Sequence, residues 1–481
     1  LTGLGQVAFT SLFGYLIGLA LGLGHIACLY VAVALTFSST IIIVKLLSDK
    51  REIDALHGQI ALGFLIVQDI AVVLAMMAMS ALRGAGDAAV VEVAGSLVLR
   101  LLAAAALMYV LMRSVLPRVV GAMARSQELL LIFAIAWGTG LAALGEWAGF
   151  SKEAGAFMAG FSLASTTYRE AMNARLTGIR DFMLLFFFID LGAKLDFSTL
   201  GGELWPAVVL SVFVLVGNPL IVMAIMGYMG YRKRTGFLAG LTVAQISEFS
   251  LIFIAMGVAL GHVEPEALGL VTLVGLVTIA LSTYMITYSH QLYAWCEPLL
   301  GIFERRGTPR ESGTEEGLIS GRPAVILFGL GRFGTAIAVR LQRRGVRVLG
   351  VDFNPQAVRR CHDLGIATQY GDATDPEFIA ELPLAGARWL VSTTPSHVTG
   401  VTHDDPRAAL IQLARTAGFG GRIAVTSHRV EDTEALCAMG ADLVLEPFQD
   451  AADRAVELLA GAGQSERIEI PAIETEQRPT P

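Results

Sequence analysis

Pro323-Ala324-Val325-Ile326-Leu327-Phe328-Gly329-Leu330-Gly331-Arg332-Phe333-Gly334 is a short apolar strand that runs straight into a glycine fingerprint. Thr335–Arg344 follows with helical spacing, and a second apolar run, Val346–Val351, ends on Asp352. The glycines permit a tight turn, and the helix N-terminus beyond them favours phosphate charge. Asp352 stands where an acid takes a ribose hydroxyl, and it disfavours a 2′-phosphorylated cofactor. Further strands near 366–370, 388–394, 422–427 and 442–446, with helices between them, predict a complete doubly wound sheet. Such a sheet either binds a nucleotide or keeps the fold without the ligand. No acid–base constellation and no substrate domain follows it, so binding and sensing are expected rather than catalysis.

Upstream, the solvent changes. The chain is 54% hydrophobic and 16% charged, whereas soluble domains carry about 25% charged residues, so lipid must solvate the excess. The net charge of −7 argues against nucleic acid as a partner. Cys28, Cys296, Cys361 and Cys437 show no paired spacing, hence no disulfide framework or metal site. Apolar runs predict spans at 7–22, 26–46, 57–81, 93–112, 128–147, 153–167, 180–195, 205–229, 236–259 and 266–288. Alternate loops carry Lys45, Lys50 and Arg51; Arg113, Arg118 and Arg125; Arg169, Arg175 and Arg180; and Arg232, Lys233 and Arg234. The positive-inside rule makes those loops cytoplasmic, together with the nucleotide domain. The resulting plan is a membrane domain (1–288), an amphipathic helix and linker (289–320), a Rossmann-like domain (321–464) and a polar, disordered tail (465–481).

Charge inside a span is costly and therefore points to function. Asp69 lies mid-span in Phe64-Leu65-Ile66-Val67-Gln68-Asp69-Ile70-Ala71. Desolvation favours the protonated form of a carboxyl and an approaching cation the ionised form, so one such group can exchange a proton for a monovalent cation. The alternative is a structural carboxyl hydrogen-bonded within the bundle. Thr36-Phe37-Ser38-Ser39-Thr40 and Gln245-Ile246-Ser247-Glu248-Phe249 interrupt two other spans. A single run of this kind is commonly satisfied by the preceding turn. Two of them in distant spans match the broken helices of inverted-repeat transporters, whose free ends coordinate ions. Glu248 is either a second ionisable group near the path or a carboxyl that ties the break. Asp190 and Lys194, four apart, form a local pair, or Lys194 answers Asp69 when no cation is bound. Arg100 has no assigned role, and Gly155–Gly160 reads as a helix-packing face.

Together these residues resemble a known family. Leu35–Val73 with its Ser-Ser-Thr run and Gln-Asp pair, Gly155–Gly160, the Phe-Phe-Ile and Leu-Gly run at 187–192, and Ser247-Glu248-Phe249 resemble the monovalent cation:proton antiporter-2 family. Ala324–Thr394, with Gly371-Asp372-Ala373-Thr374, resembles the TrkA N-terminal (regulator of potassium conductance) domain, and the combination resembles Kef-type potassium efflux systems. The resemblance implies a polytopic antiporter fold with inverted repeats and two broken helices, in an inner (plasma) membrane, with three N-terminal spans missing before Leu1. It implies Asp69 as the exchanging carboxylate with Gln68 its neighbour, and Ser38, Ser39 and Thr40 along the crossing, with Glu248 and Lys194 as further ionisable candidates. Gly329, Gly331, Arg332, Phe333, Gly334, Asp352 and Asp372 would face NAD(H) or AMP as a regulatory ligand. The transported ion would be K+, with Na+ as the alternative, in a lipid-embedded homodimer with a possible ancillary regulatory subunit. Gly192-Ala193-Lys194 and Ile246-Ser247 depart from the Kef pattern. A potassium channel would need a TVGYG-like filter, which the sequence lacks.

Overall fold

The computed structural model describes residues 2–50, 52–83, 99, 102–148, 152–193, 204–305, 322–394, 405–429 and 431–462. The chain divides into two compact units, Leu1–Ile53 with His57–Arg310, and Glu311–Pro481 with Asp54–Leu56.

The regular elements among the described residues of the first unit are all helices: α1 (Thr2–Ala20), α2 (His25–Ala34), α3 (Thr40–Asp49), α4 (Leu56–Arg83), α5 (Leu102–Met123), α6 (Gln127–Trp147), α7 (Lys152–Ala164), α8 (Arg169–Ala193), α9 (Leu204–Tyr228), α10 (Lys233–Leu241), α11 (Glu248–Ala259), α12 (Pro265–Thr287) and α13 (Ser289–Leu300). Among the described residues, six helices (α1, α4, α5, α6, α9 and α12) are long and apolar enough to cross a bilayer. Their outer faces expose large apolar side chains, such as Leu12 and Leu16 on α1 and Ile66, Ile70 and Leu74 on α4. Lipid is the solvent that makes such faces stable.

The two predicted interruptions are real. Residues 35–39 part α2 from α3, and residues 242–247 part α10 from α11. Serine caps restart each helix: Ser39 Oγ accepts from Ile42 N–H, and Ser247 Oγ accepts from Phe249 N–H. A serine oxygen at this position satisfies one of the four amides that a helix start leaves unpaired. Around the breaks lies the main core, in which Val31, Leu35, Val72, Met76, Leu210, Val214, Ile246, Leu251, Val271 and Val274 join α2, α4, α9, α11 and α12. The packed face of α1 is made of small and polar residues, and Gly14 and Gly18 bring its backbone close to Ala32 and Cys28 of α2.

Two spans run furthest past their sequence boundaries. The fourth runs on through Arg113 and Arg118 to Met123 because Leu116 and Val120 are buried against Leu130, Ala134, Leu163 and Met172. The seventh begins at Arg169 rather than 180, its first turns anchored by Met172 and Leu176 in the same cluster. The loop charges used for orientation are therefore partly helical. Within α5 and α9, π turns at Leu111–Val115 and Phe213–Gly217 each stop two residues before a proline, Pro117 or Pro219. Proline lacks the N–H an α-turn needs and crowds the carbonyl four residues back, and a widened turn relieves both.

The second unit is a six-stranded, all-parallel sheet of order β3-β2-β1-β4-β5-β6. Its strands are β1 (Val325–Phe328), β2 (Val348–Asp352), β3 (Ala367–Tyr370), β4 (Trp389–Ser392), β5 (Arg422–Thr426) and β6 (Leu443–Leu445). Alternate side chains feed two cores, Ile326, Phe328, Leu349, Val351 and Leu390 on one face, Val325, Leu327, Val348 and Val391 on the other. Burial on both faces explains the continuous apolar strands.

Candidate functional site: an oxygen-lined helix crossing and a nucleotide crevice

At the first break the chain turns its polar residues inward. Thr36, Ser38 and Ser39 are buried, although none of them is charged. Thr40, the first residue of α3, donates its hydroxyl to Asp69 Oδ2 at 3.0 Å. Ser38 N–H donates to Gln68 Oε1 at 3.0 Å, so the Gln-Asp pair on α4 grips the break with both members. Ser38 Oγ is buried and makes no hydrogen bond among the described residues. A buried hydroxyl without a partner is costly, and a cation supplies the missing contact without needing a donor.

Glu248 opens α11, where the helix N-terminus favours negative charge. It accepts from Ser247 Oγ at 3.3 Å. Ser250 of α11 donates to the carbonyl of Ala34 at 2.6 Å, satisfying the end of α2 across the crossing. Ser38, Ser39, Thr40, Gln68, Asp69 and Glu248 are therefore gathered around the two breaks. Lys194 and Arg100 lie outside the described residues, as does the side chain of Asp190.

Three residues that the sequence reading passed over complete the site. Gln68 Nε2 donates to Gln6 Oε1 at 2.7 Å, Gln6 Nε2 to Thr10 Oγ1 at 3.2 Å, and Thr10 Oγ1 to Asn218 Oδ1 at 3.0 Å. All four side chains are fully buried. All three are uncharged polar residues in otherwise apolar spans, and the sequence reading passed over them because it selected charged groups and hydroxyl runs. Further out, Glu52 accepts from His290 at 2.8 Å and His57 at 3.2 Å, and Lys50 lies 3.1 Å from it. Burial pushes that carboxyl up, but the two histidine hydrogen bonds and the Lys50 charge outweigh it and hold Glu52 well below the usual carboxylate range.

In the second unit the strand order reverses between β1 and β4, which opens a crevice at their carboxyl ends. Gly329 leaves β1 with φ +90°, a conformation that favours glycine. A Cβ at Gly334 would collide with the Gly329 carbonyl, so the helix packs directly on the turn. Gly331, Arg332 and Phe333 face outward at the helix start. Asp352 Oδ2 accepts from Leu330 N–H and Oδ1 from Asn354 N–H, which bind the acid to the glycine loop. Burial pushes the Asp352 carboxyl up, against the pull of those amides. Asp372 accepts from the Thr374 amide and hydroxyl, at 2.9 and 2.8 Å, and shapes the turn after β3.

Residues 1–288 match the family described as sodium/hydrogen exchanger, transmembrane, and residues 325–447 match the TrkA-N domain. The protein named "Putative K(+) efflux antiporter KefB" in Alkalimonas amylolytica is 26% identical over 425 residues, covering 86% of this chain and 62% of that protein. "Glutathione-regulated potassium-efflux system protein KefC" of Klebsiella aerogenes is 26% identical, over 97% of this chain and 72% of its own length. Among solved structures, the TrkA-N domain of the inner membrane protein ybaL from Escherichia coli overlies 29% of this chain and 98% of its own at 20% identity, with a TM-score of 0.26. The chain spans 62% of the length of the first of these relatives.

Proposed function

Because the chain belongs to the transmembrane sodium/hydrogen exchanger family by its match over residues 1–288, we propose that it exchanges a monovalent cation, with potassium favoured, for protons across a bilayer. The observation that carries the reading is the Thr40–Asp69 contact beside the buried, unpartnered hydroxyl of Ser38. A carboxylate and two hydroxyls at a helix crossing offer oxygen ligands to a hard cation. Asp69 carries either the proton or the cation, Thr40 orients it, and Glu248 adds negative charge nearby. Two relatives named as potassium efflux proteins favour potassium, and sodium is the competing cargo.

The second unit controls exchange in this reading, on the cytoplasmic side of an inner membrane. Gly329, Gly331 and Gly334 would admit a pyrophosphate or phosphate to the helix start, with Asp352 toward the ribose. NAD(H) or AMP fits that arrangement, bound as a regulator and not as a redox substrate. A homodimer, with an ancillary regulatory subunit, completes the proposed assembly.

The test is proton flux in proteoliposomes carrying a pH-sensitive dye, with potassium and then sodium added. Potassium-driven flux in the wild type that is lost in Asp69→Asn is the expected result. Flux that survives in Asp69→Asn overturns the mechanism, and a response to sodium alone reassigns the cargo.

A further inference from the structure

Asn218 stands where both helix breaks come within reach of one side chain. It is fully buried on α9, directly after the π turn. Its Nδ2 donates to the carbonyls of Leu35 and Val243, at 3.3 and 3.4 Å. Those distances are long, as suits one amide stretched between two acceptors. The carbonyls hold equivalent places, each four residues before the serine that caps the next half-helix, Ser39 or Ser247. The equivalence extends to the amide one residue before each cap. Ser38 N–H is held by Gln68 of α4 at 3.0 Å, and Ile246 N–H by Thr278 of α12 at 3.4 Å. Asn218 therefore lies between two pseudo-symmetric breaks and divides its N–H groups between them.

The clamp is itself held. Thr10 donates to Asn218 Oδ1, and Gln6 and Gln68 carry the chain of donors back to the first break at Ser38. Gln6 also donates to the Thr36 carbonyl at 3.4 Å. Each link runs in the same direction, so each amide has a defined orientation and the bonds reinforce one another.

We propose that Asn218 is a positioning residue for ion exchange: it clamps the two breaks at a fixed separation and keeps the Leu35 and Val243 carbonyls from serving as ion ligands. The inference rests on the transport reading above. A cation entering a helix break takes up unpaired carbonyls. With these two engaged, the hydroxyls of Ser38 and Thr40 and the carboxylate of Asp69 remain to receive it.

Asn218→Asp keeps the shape and the acceptor for Thr10, but it can donate to one carbonyl at most. Thr10→Val keeps its shape and loses the donor to Asn218. Both variants of the full chain are measured for apparent cation KM in proteoliposomes. Hydrogen exchange at residues 35–39 and 242–247 is followed in parallel. Loss of a buried hydrogen bond to the clamp raises KM about tenfold in Asn218→Asp and about threefold in Thr10→Val. Exchange quickens in both breaks, and the double variant is no worse than Asn218→Asp because one network carries both effects. A wild-type KM in Asn218→Asp, or faster exchange in one break alone, overturns the clamp. If Asn218→Asp does not fold, Thr10→Val decides, and unchanged KM and exchange there overturn it. If the wild type moves no cation, the transport reading falls and hydrogen exchange alone judges the clamp.

Discussion

At the scale of single residues, environment sets the chemistry that residue type only permits. Asp352 is nine-tenths buried, and its raised pKa means that folding favours its protonated form. Its contribution to stability is thus fully present below the ordinary aspartate value of about 3.9 and is lost as pH rises through the folded value. A ribose hydroxyl donating to this carboxylate favours ionisation instead. Nucleotide binding is therefore expected to release protons, and affinity to fall as the pH drops through the folded pKa. Calorimetry in buffers of different ionisation enthalpy checks this, and proton uptake on binding would be the wrong sign. Asp69 and Asp352 were legible because a carboxylate in an apolar span, or after a glycine fingerprint, breaks the local pattern. Asn218 was not, because its role depends on two carbonyls in breaks that lie far apart in sequence.

At the scale of elements, close approach and loop geometry decide what the helices can do. Gly155 of α7 lies so near the Leu141 carbonyl of α6 that a Cβ would collide with it, whereas Gly160 faces open space. Gly155→Leu is expected to cost about 1–3 kcal/mol by overpacking, and Gly160→Leu much less, as read by thermal unfolding of the purified protein. Glu52 joins the loop before α4 to His290 of α13. Its lowered pKa gives stability that is present above the ordinary glutamate value of about 4.3 and is lost as pH falls through the folded value. Glu52→Gln should lower stability by about 1–3 kcal/mol at neutral pH, and the deficit should close in acid. An equal deficit at every pH would count against the ion cluster. The breaks themselves were readable as hydroxyl runs, but the second begins at Thr242, three residues before the run that marked it.

At the scale of the whole molecule, the chain is a multi-pass membrane protein carrying a TrkA-N unit. If a nucleotide on the second unit biases the first between two states, linkage requires a coupling free energy, usually about 1–3 kcal/mol. A change of about 5- to 150-fold in apparent cation affinity on adding NADH or AMP is the matching readout in proteoliposomes. Equal flux with and without either nucleotide would remove the regulatory assignment. The sequence by itself determined the two solvents, the order of the elements, the glycine turn and the carboxyl in mid-span, because hydropathy period and turn chemistry are local properties. Only the tertiary structure decided where α5 and α8 extend beyond their apolar runs and which polar residues meet. Helix length in those cases follows from partners such as Leu163 and Met172, and the Gln68–Gln6–Thr10–Asn218 chain exists only where three separate helices, α1, α4 and α9, bury their polar atoms together. Buried polar groups must find partners wherever the fold brings them, and that requirement is written in three dimensions rather than along the chain.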